Sequence, residues 1–194
     1  MIYIDDGLKD YTRQDFEKIL VEIPPWRLER VKNLSRFEDR LQNVLAYRLL
    51  VKALKEEFDL RTVPEFSLLE NGKPYFKEYH DIHFNISHCS RAVACAVSTG
   101  PVGIDVECIN PFDEELASYV LNEEEYVTLM KSGRPDIEFT ILWTRKESLC
   151  KFSGRGLPTQ EEIRCILSKQ QAKIETVVNE CRGYVMSVAS REDG

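Results

Sequence analysis

Two carboxylates stand two positions apart in the short run Gly-Ile-Asp-Val-Glu, at Asp105 and Glu107. On a β-strand, side chains with this spacing project from the same face. Two hard oxygen ligands side by side suit Mg²⁺, which takes one or two protein carboxylates and completes its shell with water and substrate phosphates. The alternative is an exposed strand end that carries two solvated acids, and the pair taken alone favours this alternative.

A second pair of charged residues, Glu147 and Lys151, lies four positions apart in a run with helical periodicity, one turn after Trp143. Taken alone, the pair is most simply a surface ion pair worth about 0.2–0.5 kcal/mol. It has a chemical role only if Glu147 joins Asp105 and Glu107 as a third carboxylate. In that case Lys151 would face the phosphate oxygens.

The remaining candidates are residues that could bind an anion. His88 ends the run Phe-Asn-Ile-Ser-His, and the chain holds no motif such as GxSxG or HExxH that would give it a nucleophile or a metal partner. It is therefore either a structural hydrogen bonder or an anion ligand beside Ser87. Arg27, Arg30 and Lys73 are three separate cations that could hold phosphate or remain solvated surface charges.

Composition excludes several classes of protein. The chain has 194 residues and a formal charge of −7, which disfavours bulk binding to nucleic acid or to an anionic membrane. The longest apolar run, from Ala92 to Val97, is far too short to span a membrane, and the acidic N-terminus does not resemble a signal peptide. The six cysteines have no CxxC spacing and are interpreted as reduced thiols, so we expect a cytoplasmic protein.

Hydrophobic periodicity predicts the elements that must position these residues. The predicted helices cover residues 12–24, 35–58, two short segments within 113–131, and 136–152. The predicted strands cover residues 2–4, a pair joined by the Asn71-Gly72 turn, a hairpin bent at Cys89-Ser90, the run 101–107, and the segments 163–168, 172–178 and 183–190. Ser35 followed by Glu38 fits a capping box at the start of the second helix.

A weak internal repeat suggests how these elements are organised. Residues 90–98, SRAVACAVS, resemble residues 181–190, CRGYVMSVAS, and each segment follows another β run and a long upstream helix. Because helices and hairpins are grouped rather than alternating, the fold class is α+β. We expect two similar α+β halves, residues 1–99 and 100–194, packed as a pseudo-two-fold dimer within one chain.

The order of the motifs carries a family resemblance. A basic segment is followed by GKPYF, FNISH, GIDVE and WTRKESLCKFSGRGL. This combination, over residues 24–157, resembles the Sfp-type 4′-phosphopantetheinyl transferases of the two-half, pseudo-dimeric kind. The resemblance implies Mg²⁺-dependent transfer of the 4′-phosphopantetheine group of coenzyme A to a serine of an apo acyl or peptidyl carrier protein. Adenosine 3′,5′-bisphosphate would be released, and the active site would lie in the cleft between the halves.

The resemblance also implies individual roles. The expected ligands of Mg²⁺, or of Mn²⁺, are Asp105, Glu107 and Glu147. The expected catalytic residues are Glu147 as the candidate base, Lys151 on the pyrophosphate and leaving group, and Asp105. The expected coenzyme A contacts are Arg27, Arg30, Asn43, Lys73, Ser87, His88, Lys146 and Lys151. The family usually has Arg followed by Ser or Thr on its first long helix, whereas this chain has Gln42-Asn43, of which only Asn43 resembles the usual hydrogen-bonding residue.

Three other interpretations remain. A Mg²⁺-dependent hydrolase could use the same acids on a nucleotide pyrophosphate, and a degenerate relative could bind coenzyme A or a carrier protein without turnover. A scaffold without a ligand would require the motif order to be coincidental. For the transferase we expect a monomer. Its carrier would dock on residues 112–135 and the start of the next helix, and the candidate contacts are Phe112, Leu121, Tyr126 and Met130.

Overall fold

Two three-stranded antiparallel sheets form the framework of the chain, and one long helix packs on each. The computed structural model describes residues 1–70, 72–156, 158–169 and 172–191. The elements before residue 100 are β1 (Ile2–Asp5), α1 (Arg13–Leu20), α2 (Pro25–Lys32), α3 (Phe37–Phe58), β2 (Phe66–Leu68), β3 (Pro74–Phe76), β4 (His83–His88) and β5 (Val93–Ser98). Those after it are β6 (Val102–Cys108), α4 (Glu114–Val120), α5 (Glu123–Lys131), α6 (Pro135–Ser153), α7 (Gln160–Cys165), β7 (Lys173–Asn179) and β8 (Tyr184–Ser190).

The same order of elements occurs twice. The first sheet has the strand order β1-β5-β4 and the second β6-β8-β7, so in each the last strand of the unit lies in the centre. In each unit an initial strand is followed by helices and then by an antiparallel hairpin whose second strand pairs with the initial one. The repeated segments 90–98 and 181–190 contain these two central strands. The α+β class is confirmed, whereas the two-fold relation and the boundary at residue 99 stay predictions.

Strand β5 joins the two cores because both of its faces are buried. Val93 and Val97 pack in the clusters that contain α3. Ala94 and Ala96 face the other way, into a cluster with β6 and β8 that includes Ile104. Alanine at these two positions leaves room for the second sheet to approach closely. The core beneath α3 and the core between the two sheets therefore meet at this strand.

Proline sets the helix boundaries near the N-terminus. The predicted single helix over residues 12–24 is wrong in length, because α1 ends at Leu20 and Pro25 opens a new helix, α2. Proline suits this position because the first turn of a helix needs no donated N–H. The capping box expected from Ser35 is also wrong, since Arg36 is the N-cap of α3.

The predicted strand over residues 163–168 is wrong. Thr159 and Glu162 form a capping box that begins α7, and the helix runs on to Cys165. The other predicted helices and strands are present with small shifts at their ends. In the β2–β3 hairpin, Gly72 has a φ of +83°, while Asn71 lies outside the described residues. No described helix has the length and apolar character needed to cross a membrane.

Helix α6 lies directly on strand β6 at Gly103. A Cβ added to this glycine would lie 2.1 Å from the carbonyl oxygen of Ser148 and 2.3 Å from the amide nitrogen of Phe152. Both atoms belong to the backbone of α6 and cannot rotate away. The glycine therefore sets the distance at which the helix side chains meet those of β6.

We predict that Gly103→Ala lowers the free energy of unfolding by about 3 kcal/mol, because the helix must separate from the strand. Chemical denaturation measures this loss. The matched control is Gly100→Ala, whose added Cβ would have Arg191 Cδ as its nearest neighbour at 3.7 Å, an ordinary contact. Equal stability of the two variants would contradict the close approach.

Candidate active site

Strands β4 and β6 lie next to each other, and side-chain oxygens of β4 accept hydrogen bonds from backbone amides of β6. Asn85 Oδ1 accepts a hydrogen bond from the Ile104 amide at 2.9 Å, and Ser87 Oγ accepts one from the Val106 amide at 3.3 Å. Both side chains are buried. These bonds satisfy the two β6 amides at the edge away from β8, and they fix the register of the two strands.

The register brings Ser87 beside Asp105 and Lys151. Ser87 Oγ donates to Asp105 Oδ1 at 2.9 Å. Lys151 Nζ lies 2.5 Å from the same oxygen and 3.1 Å from Ser87 Oγ. Asp105 is only 2% exposed, so this charge-assisted contact is shielded from water. The strand acid and the helix lysine of the sequence analysis therefore meet.

The second carboxylate oxygen of Asp105, Oδ2, is buried and has no hydrogen bond among the described residues. A buried carboxylate oxygen without a donor is costly, because it has lost its hydration and gained nothing in exchange. A bound cation would remove this cost, so the residues present fit a metal at this position.

Two further carboxylates face the same region. Glu107 lies on the Asp105 face of β6, and burial followed by the charge of Asp105 raises its pKa from 4.5 to about 7. Burial and then Asp105 also raise the pKa of Glu147, one helical turn before Lys151. Lys151 opposes both shifts. One ammonium is thus set against three carboxylates, which favours an additional cation.

The side chains do not form a complete metal cage. Across the described ranges, no three His, Cys, Asp or Glu side chains lie in positions that could hold an ion together. Mg²⁺ does not require such a cage, because water and phosphate oxygens normally complete its shell. Asp105 would hold the ion through Oδ2, with Glu107 or Glu147 as a second ligand.

His88 ends strand β4 next to this group. Partial burial and then the charge of Lys151 lower the pKa of its imidazole. His88 is an exposed residue, so an arriving ligand can reach it. Its place beside Lys151 agrees with the expected role of an anion ligand.

Lys73 lies at the C-terminal end of α6, on the backbone rather than on the carboxylates. Its Nζ donates to the carbonyl oxygens of Lys151 at 2.6 Å, Phe152 at 3.2 Å and Val102 at 3.2 Å. A cation here stabilises the negative end of the helix dipole. Lys73 therefore holds the end of the helix that carries Lys151.

Lys146 is not brought to the carboxylate cluster. Its side chain is fully buried on another face of α6, where Nζ lies 2.8 Å from Glu125 Oε2 and 2.8 Å from the Ile163 carbonyl oxygen. A third contact reaches the Arg164 carbonyl oxygen at 3.2 Å. The side chain ties α6 to α5 and α7, a position that does not match the expected coenzyme A contact.

Arg27, Arg30 and Asn43 belong to a second polar group, on α2 and α3. The Arg27 guanidinium lies 5.6 Å from the centre of the Tyr47 ring and contacts the Asn43 carbonyl oxygen at 3.4 Å. Burial and then Arg30 lower the pKa of Arg27. Arg27 Nε and Asn43 Oδ1 are both buried without a hydrogen bond among the described residues. This group therefore has a free donor and a free acceptor.

Sequence reasoning missed two residues that build the site. Asn85 lies two positions before Ser87 and therefore on the same face of the strand. A polar residue at that spacing in an otherwise apolar strand could have indicated that Asn85 also contacts the site. Gln42, noted only as a departure from the family pattern, is buried and donates to the Cys89 carbonyl oxygen at 3.0 Å. It fixes the β4–β5 turn against α3.

We predict that Lys146→Met lowers the free energy of unfolding by about 3 kcal/mol, because it leaves the mostly buried Glu125 carboxylate unpaired. Adding Glu125→Gln should restore much of the loss, as thermal unfolding of the single and double variants would measure. If Lys146 contacts coenzyme A instead, the single variant would bind it more weakly while the protein keeps its stability.

A pH-dependent stability difference follows from Glu107. In protein treated with a chelator to remove metal, the raised pKa means that the folded state favours the protonated Glu107. Ionisation of Glu107 therefore lowers the free energy of unfolding, with no loss below about pH 4.5 and the full loss above about pH 7. Relative to Glu107→Gln, the wild type should lose about 2 kcal/mol of unfolding free energy between about pH 5 and pH 8. Denaturation curves at both pH values measure it. Parallel behaviour of the two proteins would contradict the raised pKa.

Comparison with known proteins identifies the family. Residues 101–189 match the model of the 4′-phosphopantetheinyl transferase superfamily. The 4′-phosphopantetheinyl transferase Sfp of Bacillus subtilis (strain 168) is 32% identical over 159 residues, which are 80% of this chain and 70% of that protein. The transferase gsp of Aneurinibacillus migulanus is 39% identical over 121 residues, 58% of this chain and 50% of that protein.

A yeast protein is also similar to this chain. The L-aminoadipate-semialdehyde dehydrogenase-phosphopantetheinyl transferase of Saccharomyces cerevisiae is 31% identical over 156 residues, 74% of this chain and 57% of that protein. The matched family region begins just before β6 and ends in β8, so it contains the three carboxylates and Lys151. The likeness to the Bacillus protein extends well beyond this region. The chain belongs to the 4′-phosphopantetheinyl transferase superfamily and is a transferase of the Sfp type.

Proposed function

We propose that this protein transfers the 4′-phosphopantetheine group of coenzyme A to a serine of an apo carrier protein, with Mg²⁺ bound and adenosine 3′,5′-bisphosphate released. The observation that carries the proposal is the Asp105 carboxylate. Lys151 and Ser87 hold one of its oxygens, and the other is buried with no hydrogen-bond partner in the described part of the chain. The unbonded oxygen of such a carboxylate could coordinate a metal ion that binds together with a phosphate ligand.

The reaction requires attack by an alcohol on a pyrophosphate. The serine Oγ of the carrier forms a bond to the β-phosphorus of coenzyme A, and the bond from that phosphorus to the bridging oxygen breaks. The electron pair leaves with adenosine 3′,5′-bisphosphate. When bound, Mg²⁺ would neutralise charge on the pyrophosphate oxygens. Lys151 and His88 would bind the same oxygens and stabilise the negative charge as it moves to the leaving group.

Glu147 is the base that we propose for the serine proton. Burial and the charge of Asp105 raise the pKa of its carboxyl, which brings its proton affinity closer to that needed near neutral pH. It precedes Lys151 by one turn of α6, so the base and the phosphate-binding cation share one rigid element. Lys151 would then donate a proton to the departing phosphate.

The second polar group supports a site for the adenosine end of coenzyme A. Arg27 offers an unbonded Nε, and Asn43 an unbonded Oδ1. A phosphate would accept from the arginine, and an amino or hydroxyl group would donate to the asparagine. Gln42 points instead to the β4–β5 turn and supplies no contact of this kind. Arg27 and Arg30 are thus proposed contacts of the adenosine phosphate, and Asn43 is a proposed contact of an amino or hydroxyl group of the adenosine end.

The carrier surface proposed on α4 and α5 differs from the residues first expected. Leu121 is 4% exposed and packs in the core under these helices, so it does not offer a contact. Met130 is 50% exposed and remains a candidate. Tyr119 and Val127 are also exposed on the same two helices. The acids of α5 would favour a carrier that presents basic groups to this surface.

We predict that Glu147→Gln and Lys151→Met each reduce transfer at least about 100-fold, because each removes a group that acts on the reacting phosphate or serine. The measurement is intact-mass spectrometry of an apo carrier protein incubated with the enzyme, coenzyme A and Mg²⁺. Chelation should abolish the added mass, and Mg²⁺ should restore it. The exposed acid variant Glu175→Gln serves as the control and should retain full transfer.

The other outcomes distinguish the remaining interpretations. Release of adenosine 3′,5′-bisphosphate without a carrier would indicate the hydrolase. Coenzyme A binding with no transfer to any fatty-acid, polyketide or peptidyl carrier would indicate a degenerate binding protein. Both results would contradict the proposal. The cytoplasmic location and the monomeric state stay predictions.

A further inference from the structure

The register between β4 and β6 extends one step beyond the active-site residues, to two cysteines. Asn85 bonds to residue 104 and Ser87 to residue 106, each at a separation of 19 positions. The same separation pairs Cys89 with Cys108. The structure agrees, because Cys89 and Cys108 pack in the same cluster of buried residues. The two strands therefore place these cysteines side by side.

The surroundings confirm the placement and leave one thiol accessible. Ser90 Oγ lies 3.2 Å from Cys108 Sγ, so this sulfur sits on the β4–β5 turn. Cys89 is buried, whereas Cys108 is partly exposed. The Cys89 backbone is fixed by the Ala92 carbonyl and by Gln42. Thus one cysteine is held in place and the other can be reached from solution.

We propose that Cys89 and Cys108 are a redox-sensitive pair, which a small-molecule disulfide converts into a reversible cross-link between the two sheets. The geometry required is a pair of cysteines on adjacent backbones with their sulfurs facing each other. The active site does not use either thiol. The pair is therefore a modification site that is separate from the transfer chemistry.

The reaction is a thiol–disulfide exchange in two steps. Cys108 loses its proton to solvent, and its sulfur attacks a disulfide RSSR to give the mixed disulfide Cys108–S–S–R and RS⁻. Cys89 then loses its proton, and its sulfur attacks the Cys108 sulfur and expels the second RS⁻. The two protons end on two RSH. The cysteines are oxidised by two electrons, and RSSR is reduced by the same two.

The cross-link would restrain the unfolded chain, because it closes a loop between strands of different sheets. Oxidation should therefore raise the melting temperature by about 5 °C. Since Cys89 follows His88 and Cys108 follows Glu107, the cross-link would also fix the ends of the two strands that carry active-site residues.

The test is oxidation of the full chain with glutathione disulfide, followed by alkylation under denaturing conditions. We expect the cross-linked protein to carry four alkyl groups, against six on the reduced protein, and peptide mapping without reductant to join Cys89 to Cys108. Calorimetry should show the rise in melting temperature, and dithiothreitol should reverse both changes. These measurements do not depend on transferase activity, so their failure is distinct from failure of the proposed function.

Matched variants make the assignment specific. Cys89→Ser and Cys108→Ser should each abolish the cross-link and the thermal shift, while Cys181→Ser, which removes an exposed cysteine, should leave both unchanged. If Cys89→Ser fails to fold, the partly exposed Cys108→Ser carries the test alone. Wild-type protein that gains only glutathione adducts, or a cross-link that survives Cys108→Ser, would overturn the proposal.

Discussion

The bonds between β4 side chains and β6 amides are the constraint on which the rest of the site depends. Among the strands that the structure describes, β6 is paired through its backbone only with β8, so its other edge must satisfy its N–H groups in some other way. Asn85 and Ser87 supply the two acceptors. Because Ser87 Oγ accepts from the Val106 amide, it is held where it can also donate to Asp105. One serine thus joins the sheets and orients the acid.

The electrostatics of the site follow from this arrangement. Asp105 is buried at the junction, and Lys151 can neutralise only one of its oxygens. Glu107 and Glu147 face the same region, where burial and then the charge of Asp105 raise their pKa values. In the proposed function, a bound cation would offset this excess of negative charge. Part of the cost of assembling the acids would then be recovered when the cation binds.

Local patterns predicted the parts of the site but not their long-range partners. The spacing of Asp105 and Glu107 on a strand placed them on one face, and the four-residue step put Glu147 and Lys151 on one helix. Sequence spacing could not show that Lys146 turns toward α5, because that depends on the packing of three helices. Sequence analysis also missed α7. It predicted a strand from the apolar residues after 162 and overlooked the capping box of Thr159 and Glu162 that begins a helix there. The β4–β6 register is set between distant segments and has no local signal.

The β4–β6 junction is the proposed binding site of the pyrophosphate and the metal. Anomalous scattering from Mn²⁺ in crystals grown with coenzyme A would locate the metal directly. We expect one strong peak next to Asp105 Oδ2, with the pyrophosphate in contact with Lys151 and His88. A cavity of about 550 Å³ lies elsewhere, between α4, α5 and α7, and is lined by Tyr126 and Arg164. A metal and coenzyme A bound in that cavity, with no metal at Asp105 Oδ2, would contradict the proposed site.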